Sequence, residues 1–505
     1  MWRYIMRRYR DRWRWLILSG LLGLGGCALS SAPTLSEDDP LAVCRAFLSA
    51  VDTQVAQADA DDAQATRIEG FPGLRVNRYL ADAGQRVSGE AEFAAWLAQL
   101  RDLGRQGQRI ELANLAEAQR RELVSAWQPL LEHDGLVAMV DACADRIQAQ
   151  QLAGPGGRQA LIDAARVPDD YSTGRRFLGA YYLTALPVSA GVSRWHRRSR
   201  EVHATPAEEL PVHGELVRFE PPPGPRLSSE EVATLLAAAR DNPLALPLPD
   251  ATARALLFRT HAPAWEIDVV SADDRIGTPF WPPPAERPEV DITQPRVYRH
   301  VSHVRWQGET LLQLNYVVWF PARPKTSFFD PLGGHMDGVI WRVTLGGDGE
   351  PLMYDTIHAC GCYHGFYPAQ ALRVRPREPW YEGAFVPLDQ PLEVQQQPLV
   401  LRLAHRTHHV EHVGGRPAPE AAVVEYDWAE YDQLRSLPLA GGHRSLFTPA
   451  GMVAGTQRGE RWFLWPMGVV NPGAMRQWGR HATAFVGRRH FDAPDLLKRD
   501  FEEQQ

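Results

Sequence analysis

The sequence predicts an α+β fold: a helical N-terminal domain followed by a C-terminal domain built on a mainly antiparallel β-sheet or β-sandwich. Three observations predict it. Apolar residues recur at helical spacing up to about residue 165. They alternate with polar residues after Pro263. Few of the alternating segments are separated by a stretch that could form a crossover helix.

The helical stripes come first. Leu41, Cys44, Leu48, Val51 and Val55 form one. Phe93, Trp96, Leu97, Leu100 and Leu103 form a second, after a capping Ser88. Leu136, Met139, Val140, Cys143 and Ile147 form another, and a further helix is expected from Glu111 to Trp127, stopped near Pro129. From Tyr171 to Arg200 the chain turns aromatic and basic, with Phe177, Tyr181, Tyr182 and Arg194-Trp195-His196-Arg197-Arg198. A solvated linker face is the expectation there; contact with lipid headgroups or an anionic polymer is the alternative. Prolines at 221–223 and 225 break the chain, and Ser228 with Glu231 offers a capping box for one more helix.

Strands follow. Trp265, Ile267 and Val269 alternate with Glu266 and Asp268; further runs cover 311–320, 339–345, 352–358, 399–405 and 421–428. Gly346-Gly-Asp-Gly349 and Gly414-Gly415 sit where hairpin turns belong. The irregular tail from Gly441, rich in Gly, Pro, Trp and Arg, is expected to pack back on the sheet. The expected organisation is a leader at 1–26, a tether at 27–40, a helical domain at 41–200, a linker with helices at 201–262, a β-rich domain at 263–492 and a tail at 493–505.

The leader carries six arginines, Arg3, Arg7, Arg8, Arg10, Arg12 and Arg14, against Asp11. The apolar run Trp15–Gly26 is shorter than the roughly twenty residues of a membrane span. The junction Leu24-Gly25-Gly26-Cys27 resembles the lipobox of bacterial lipoproteins. That resemblance implies cleavage before Cys27, lipid on its thiol and amine, and firm attachment, because two or more acyl chains hold where one does not. Ala28 in the next position, rather than an aspartate, implies the outer membrane, periplasmic side.

Losing the leader removes six positive charges and one negative, taking the formal charge from -7 to about -12. An acidic body argues against nucleic acid as a partner. Of the 54 basic residues only Lys325 and Lys498 are lysines, so no arginine is a site merely for being arginine. An exported protein meets an oxidising compartment. Cys44 and Cys143 both fall on apolar helical stripes and are expected to pair across one core.

Four constellations could carry chemistry. In His358-Ala-Cys360-Gly-Cys362-Tyr-His364 the ligand-capable residues alternate, so a straight strand holds them too far apart for one ion. A bend at Gly361 or Gly365 would allow a Cys360–Cys362 disulfide or a metal site; two unpaired thiols are the remaining reading. His335 and Asp337, with one of His300, His303 or His358, could bind zinc; with His408 and Arg416 they faintly resemble the facial triad of ferrous oxygenases. The run His405-Arg-Thr-His408-His409-Val-Glu411-His412 reads as a solvated hairpin end. Arg476, Arg480, His481 and Arg489 could receive an anion or pair internally.

No nucleophile elbow, P-loop, His-Glu-x-x-His or dinucleotide fingerprint occurs, and no catalytic residue is assigned. The stretch from Asn315 to His364 resembles uncharacterised proteobacterial lipoproteins, which implies no activity. The leading expectation is an outer-membrane-anchored binding or envelope-structural protein with a protein or envelope-polymer partner. The alternative is a metal-dependent enzyme acting on an envelope substrate through a His/Asp/Cys site in the β-rich domain; no cofactor is established by the sequence, and zinc is the candidate.

Overall fold

In the computed structural model the described residues are 39–503, apart from 132, 155, 285, 371, 378–380, 393–397 and 416–417. Cys27 and Arg416 therefore lie outside the described residues.

The N-terminal half is helical: α1 (Pro40–Gln57), α2 (Arg78–Gly84), α3 (Glu90–Asn114), α4 (Glu117–Leu131), α5 (Leu136–Ala153), α6 (Gly157–Ala164), α7 (Thr173–Leu178) and α8 (Tyr181–His203). Asp39 caps α1 by accepting from Leu41 and Ala42, and Asn77 caps α2 by accepting from Leu80. The stripes bury as expected in two cores. Phe47, Val51, Met139 and Val140 pack in one, and Phe93, Trp96 and Leu100 in the other. Cys44 and Cys143 are bonded in the first core, with α-carbons 5.0 Å apart. The helix expected at 111–127 is two helices, α3 and α4, divided at Leu115. The aromatic-basic stretch forms α7 and the long helix α8.

Two further helices, α9 (Ser229–Ala239) and α10 (Ala251–Thr260), precede the main sheets. The strands of those sheets are β1 (Glu215–Glu220), β2 (Ala264–Val269), β3 (Arg296–Trp306), β4 (Glu309–Arg323), β5 (Gly334–Leu345), β6 (Pro351–His358), β7 (Gly365–Pro368), β8 (Val400–Leu403), β9 (Val410–Gly414), β10 (Ala422–Glu425) and β11 (Asp427–Glu430). A six-stranded sheet runs β7-β6-β5-β4-β3-β11, antiparallel except where β11 joins β3. A five-stranded sheet runs β9-β8-β2-β1-β10, with parallel pairs β8/β2 and β10/β1. The fold is α+β, with helices mostly in the first half and mostly antiparallel strands in the second.

Both faces of the six-stranded sheet are covered. The five-stranded sheet, α9 and α10 bury Trp265, Leu401, Val232 and Phe258 against Leu314, Val318 and Trp341. On the other face the tail brings Leu446, Val453, Met475, Trp478 and Phe491 onto Val317, Trp319 and Ile340. This double cover explains why β4 reads as a continuous apolar run rather than an alternating one. Two short helices, α11 (Arg461–Leu464) and α12 (Leu496–Asp500), belong to the tail.

Candidate metal centre

The hairpin β8–β9 carries the residues that matter. Leu401 and Leu403 anchor β8 in the core, and the connecting loop spans residues 404–409. His405 and His408 leave this loop on different sides. His405 Nδ1 lies 3.3 Å from Asp268 Oδ2. Asp268 stands on the face of β2 opposite the core residues Trp265, Ile267 and Val269. His213, just ahead of β1, brings its own Nδ1 to the same oxygen at 3.1 Å.

Asp268 is oriented before any ligand arrives. The backbone N–H groups of His213 and Gly214 donate to its carboxylate at 2.8–3.2 Å. Gly214 is needed there, since a Cβ would fall 2.0 Å from the carbonyl oxygen of Val269. Burial pushes the Asp268 carboxyl up, and these hydrogen bonds with His213 and His405 hold it below the ordinary value. Asp268 is 2 % exposed at its side chain, His405 23 % and His213 52 %, so the set is closed beneath and open above.

The three ligand-capable atoms lie within 4.8 Å of one another. A tetrahedral ion with bonds of about 2.0–2.1 Å has edges of about 3.3 Å; the two nitrogen–oxygen distances are compatible with that edge and are also those of His–Asp hydrogen bonds. Two histidines and one carboxylate suit zinc and leave a position free. That side opens on a cavity of about 360 Å³, lined also by Glu411, Arg406 and Arg323. Glu411 has no hydrogen-bond or ion-pair partner among the described residues. Burial pushes its carboxyl up, with Asp268 adding to the effect against Arg402 and His213.

Beneath the loop, His408 is fully buried between two carboxylates. Its Nδ1 lies 2.8 Å from Asp337 Oδ2 and its Nε2 3.6 Å from Asp274 Oδ1. His358 Nδ1 is 3.6 Å from the other Asp337 oxygen. Burial works against a charge on His408, and Asp274 and Asp337 raise its pKa regardless. Asp274 also accepts from the backbone of Arg406, tying the loop that carries His405. Four non-glycine residues at this place have left-handed backbones: Met336, Tyr363, Arg406 and His408, with φ between +47° and +61°. Such conformations cost about 1–2 kcal/mol each and persist where the surroundings over-determine them.

The sequence-predicted sites are redistributed. Asp337 and His358 do meet directly, with His408 on the other Asp337 oxygen and without His335. The left-handed Met336 turns the chain between His335 and Asp337, and His335 Nε2 lies 2.6 Å from the carbonyl oxygen of Pro288. His300 and His303 line a separate cleft; His303 Nε2 is 3.0 Å from the carbonyl oxygen of Pro247, and His300 packs on Trp478. His364 is buried in an ionic group with Asp355 and Arg342. It parts from His358 because β6 ends at His358 and the chain reverses before β7.

Of the three readings of Cys360 and Cys362, the structure agrees with two unpaired thiols. The chain turns at Gly361, whose φ is +90°, yet both cysteines are free thiols and form neither a disulfide nor a three-ligand metal set. Of the residues Arg476, Arg480, His481 and Arg489, the three arginines pair internally, the other reading the sequence leaves open. Arg476 donates to the carbonyls of Cys360, Val470 and Asn471, Arg480 to that of Ala63, and Arg489 to those of Glu382, Gly383 and Thr483. His481 is buried.

No family model, curated protein or solved structure matches the chain.

Sequence patterns miss this centre for a local reason. His405 reads as part of a solvated loop, Asp268 as the polar face of a strand, and His213 carries no motif. The available signal is the alternation of Glu266 and Asp268 in a strand that buries both faces. Acids buried on a second face need partners.

Proposed function

We propose that this protein is a lipid-anchored, zinc-dependent hydrolase of the bacterial envelope. The observation that carries the reading is the convergence of His213 Nδ1 and His405 Nδ1 on one Asp268 oxygen at the mouth of an open cavity. In this reading His213, Asp268 and His405 hold the ion, which when bound supplies Lewis acidity to a substrate carbonyl or phosphoryl oxygen. Glu411, free of partners, takes the proton of the attacking water. Arg406 and Arg323 bear positive charge toward the same cavity and suit an anionic substrate group. Lipid on Cys27 would hold the enzyme on the periplasmic side of the outer membrane.

The test uses mature protein without a histidine tag. One equivalent of zinc is expected by elemental analysis, lost in His405→Ala and in the near-isosteric Asp268→Asn. Protein that stays metal-free after dialysis against zinc would overturn the reading. Glu411→Gln should keep the zinc and lose turnover.

A second reading is favoured by one observation. A cleft of about 890 Å³ separates α3 from β3, and Arg109 and Arg254 on its wall have no ion-pair partner among the described residues. This cleft fits a binding protein for a small anionic ligand, with any zinc structural. Ligand protection that Arg109→Ala and Arg254→Ala abolish, without hydrolytic activity, would favour it.

A further inference from the structure

Helix α7 and the first half of α8 turn large apolar side chains to solvent. Phe177, Leu178, Tyr182, Leu183 and Leu186 are 54–84 % exposed. The corner between the two helices is fixed to the body in this orientation. A Cβ on Gly179 would fall 2.4 Å from the Pro466 side chain, so only glycine lets the corner sit so close. Arg176 donates to the carbonyls of Met467 and Gly487 and lies over the rings of Tyr171 and Tyr181. The turn at 465–467 that receives this corner continues α11, and α11 adds Trp462 and Phe463, 73 % and 54 % exposed.

So many large apolar side chains exposed on elements packed next to one another are rare on a body with no partner and mark an interaction face. Two observations decide what covers it. First, the stripe of Leu186 and Ala190 on α8 continues at helical spacing into exposed Arg194, Arg197 and Arg198. Among the described residues these three form no ion pair. Apolar and aromatic side chains beside unpaired cations complement an anionic bilayer surface. Second, Asp39, where the described fold begins, lies only twelve positions after Cys27. A fully extended chain of that length reaches about 40 Å, so an anchor at Cys27 keeps the body beside a membrane. Among the described residues no helix is long and apolar enough to cross one.

We infer that α7, the first half of α8 and α11 form a docking face that seats its apolar side chains among the headgroups of an anionic phospholipid bilayer. The reach argument rests on the lipid-anchor reading; the face itself does not. Docking fixes which way the body faces, where the tether alone leaves it free to tumble.

The test uses the chain from residue 27 with Cys27→Ser, made without its leader, so that no acyl chain contributes. It retains every described element. Phosphatidylglycerol vesicles should co-sediment it, with a blue shift of tryptophan emission, and phosphatidylcholine vesicles should do so at least about tenfold less. Phe177→Asp with Leu183→Asp should lower the affinity for phosphatidylglycerol by about tenfold or more. Arg194→Ser with Arg197→Ser and Arg198→Ser should lower it several-fold and flatten its dependence on salt. All five side chains are exposed, so circular dichroism should be unchanged. No association with either vesicle, or association untouched by the aspartates, would overturn the inference. So would a concentration-dependent dimer that the aspartates dissociate in the absence of vesicle binding, which would make this a protein interface. Because the protein carries no lipid, a failed lipidation reading leaves these outcomes unchanged.

Discussion

His408 lies flat on Phe320, ring centroids 3.9 Å apart and planes 4° from parallel, while its Nδ1 meets Asp337. The ring is thus held by stacking and by charge at once. Removing it deprives two buried carboxylates, Asp274 and Asp337, of their shared partner, leaving only His358 and Arg458 near Asp337. His408→Gln should destabilise the fold by about 3–5 kcal/mol, the usual cost of an uncompensated buried charge. Adding Asp337→Asn should restore part of that. Urea unfolding of the single and double variants measures both; additive losses would show that the two residues are not coupled.

A second prediction concerns acid. His364, His303 and His261 are pushed down to about 4 and His481 to about 3, chiefly by burial. An unfolded histidine titrates near 6.5. Between about pH 6.5 and 4 the unfolded chain therefore binds protons that the folded chain refuses. Stability should be full above that window and fall as pH falls through it. A deeply buried ring such as His364 contributes on the order of a few kcal/mol. His408 runs the other way: its raised pKa gives stability present below about 6.5 and lost as pH rises through the folded value. The lowered rings outnumber it, so a net loss in acid is expected. Urea midpoints that stay flat from pH 7 to 5 would contradict that expectation.

The disulfide between Cys44 and Cys143 closes a loop across a sequence separation of 99. In the chain-entropy model that stabilises the fold by about 4–5 kcal/mol. Replacing both cysteines by serine should lower the unfolding midpoint accordingly. In non-reducing peptide maps Cys360 and Cys362 should be alkylated after unfolding, while Cys44 and Cys143 remain linked.

Cys27→Ser should release the exported protein from membranes washed at high salt, which strips electrostatic docking but not acyl chains. An acylated product from this variant would refute the lipid-anchor reading.

How far the sequence reaches depends on range. The stripe Leu41–Val55 needs only helical spacing, and so does the core position of Cys143. The alternation after Pro263 is equally local. Strand β1 escapes such reasoning, because Glu215–Glu220 follows a basic stretch and precedes a proline cluster, and its identity comes from pairing with β2. The metal centre is harder still. His213, Asp268 and His405 are 55 and 137 positions apart in turn, and only the parallel pairing of β8 with β2 brings the last of them in. Spacing arguments name Asp337 with His358 and, in the facial-triad resemblance, Asp337 with His408; they do not show that His408 sits buried between Asp337 and Asp274, because the loop that carries it reads as solvated.

The pairing of Ala264 with Val400 has a kinetic meaning. The whole hairpin succession β3 to β7 lies between those two strands, and hairpins form from neighbours. Loop closure over so long a separation comes late, after local contacts have shortened the effective chain. The five consecutive strands β3 to β7 should therefore be ordered while β8 and β11, which both close over long separations, are still unplaced, and His405 arrives with β8. An incompletely folded chain would own the carboxylate and one imidazole of the candidate centre but not the second imidazole. On the proposed zinc reading, capture of metal reports completed folding, and a time-resolved refolding experiment should show zinc uptake as the slowest of its signals.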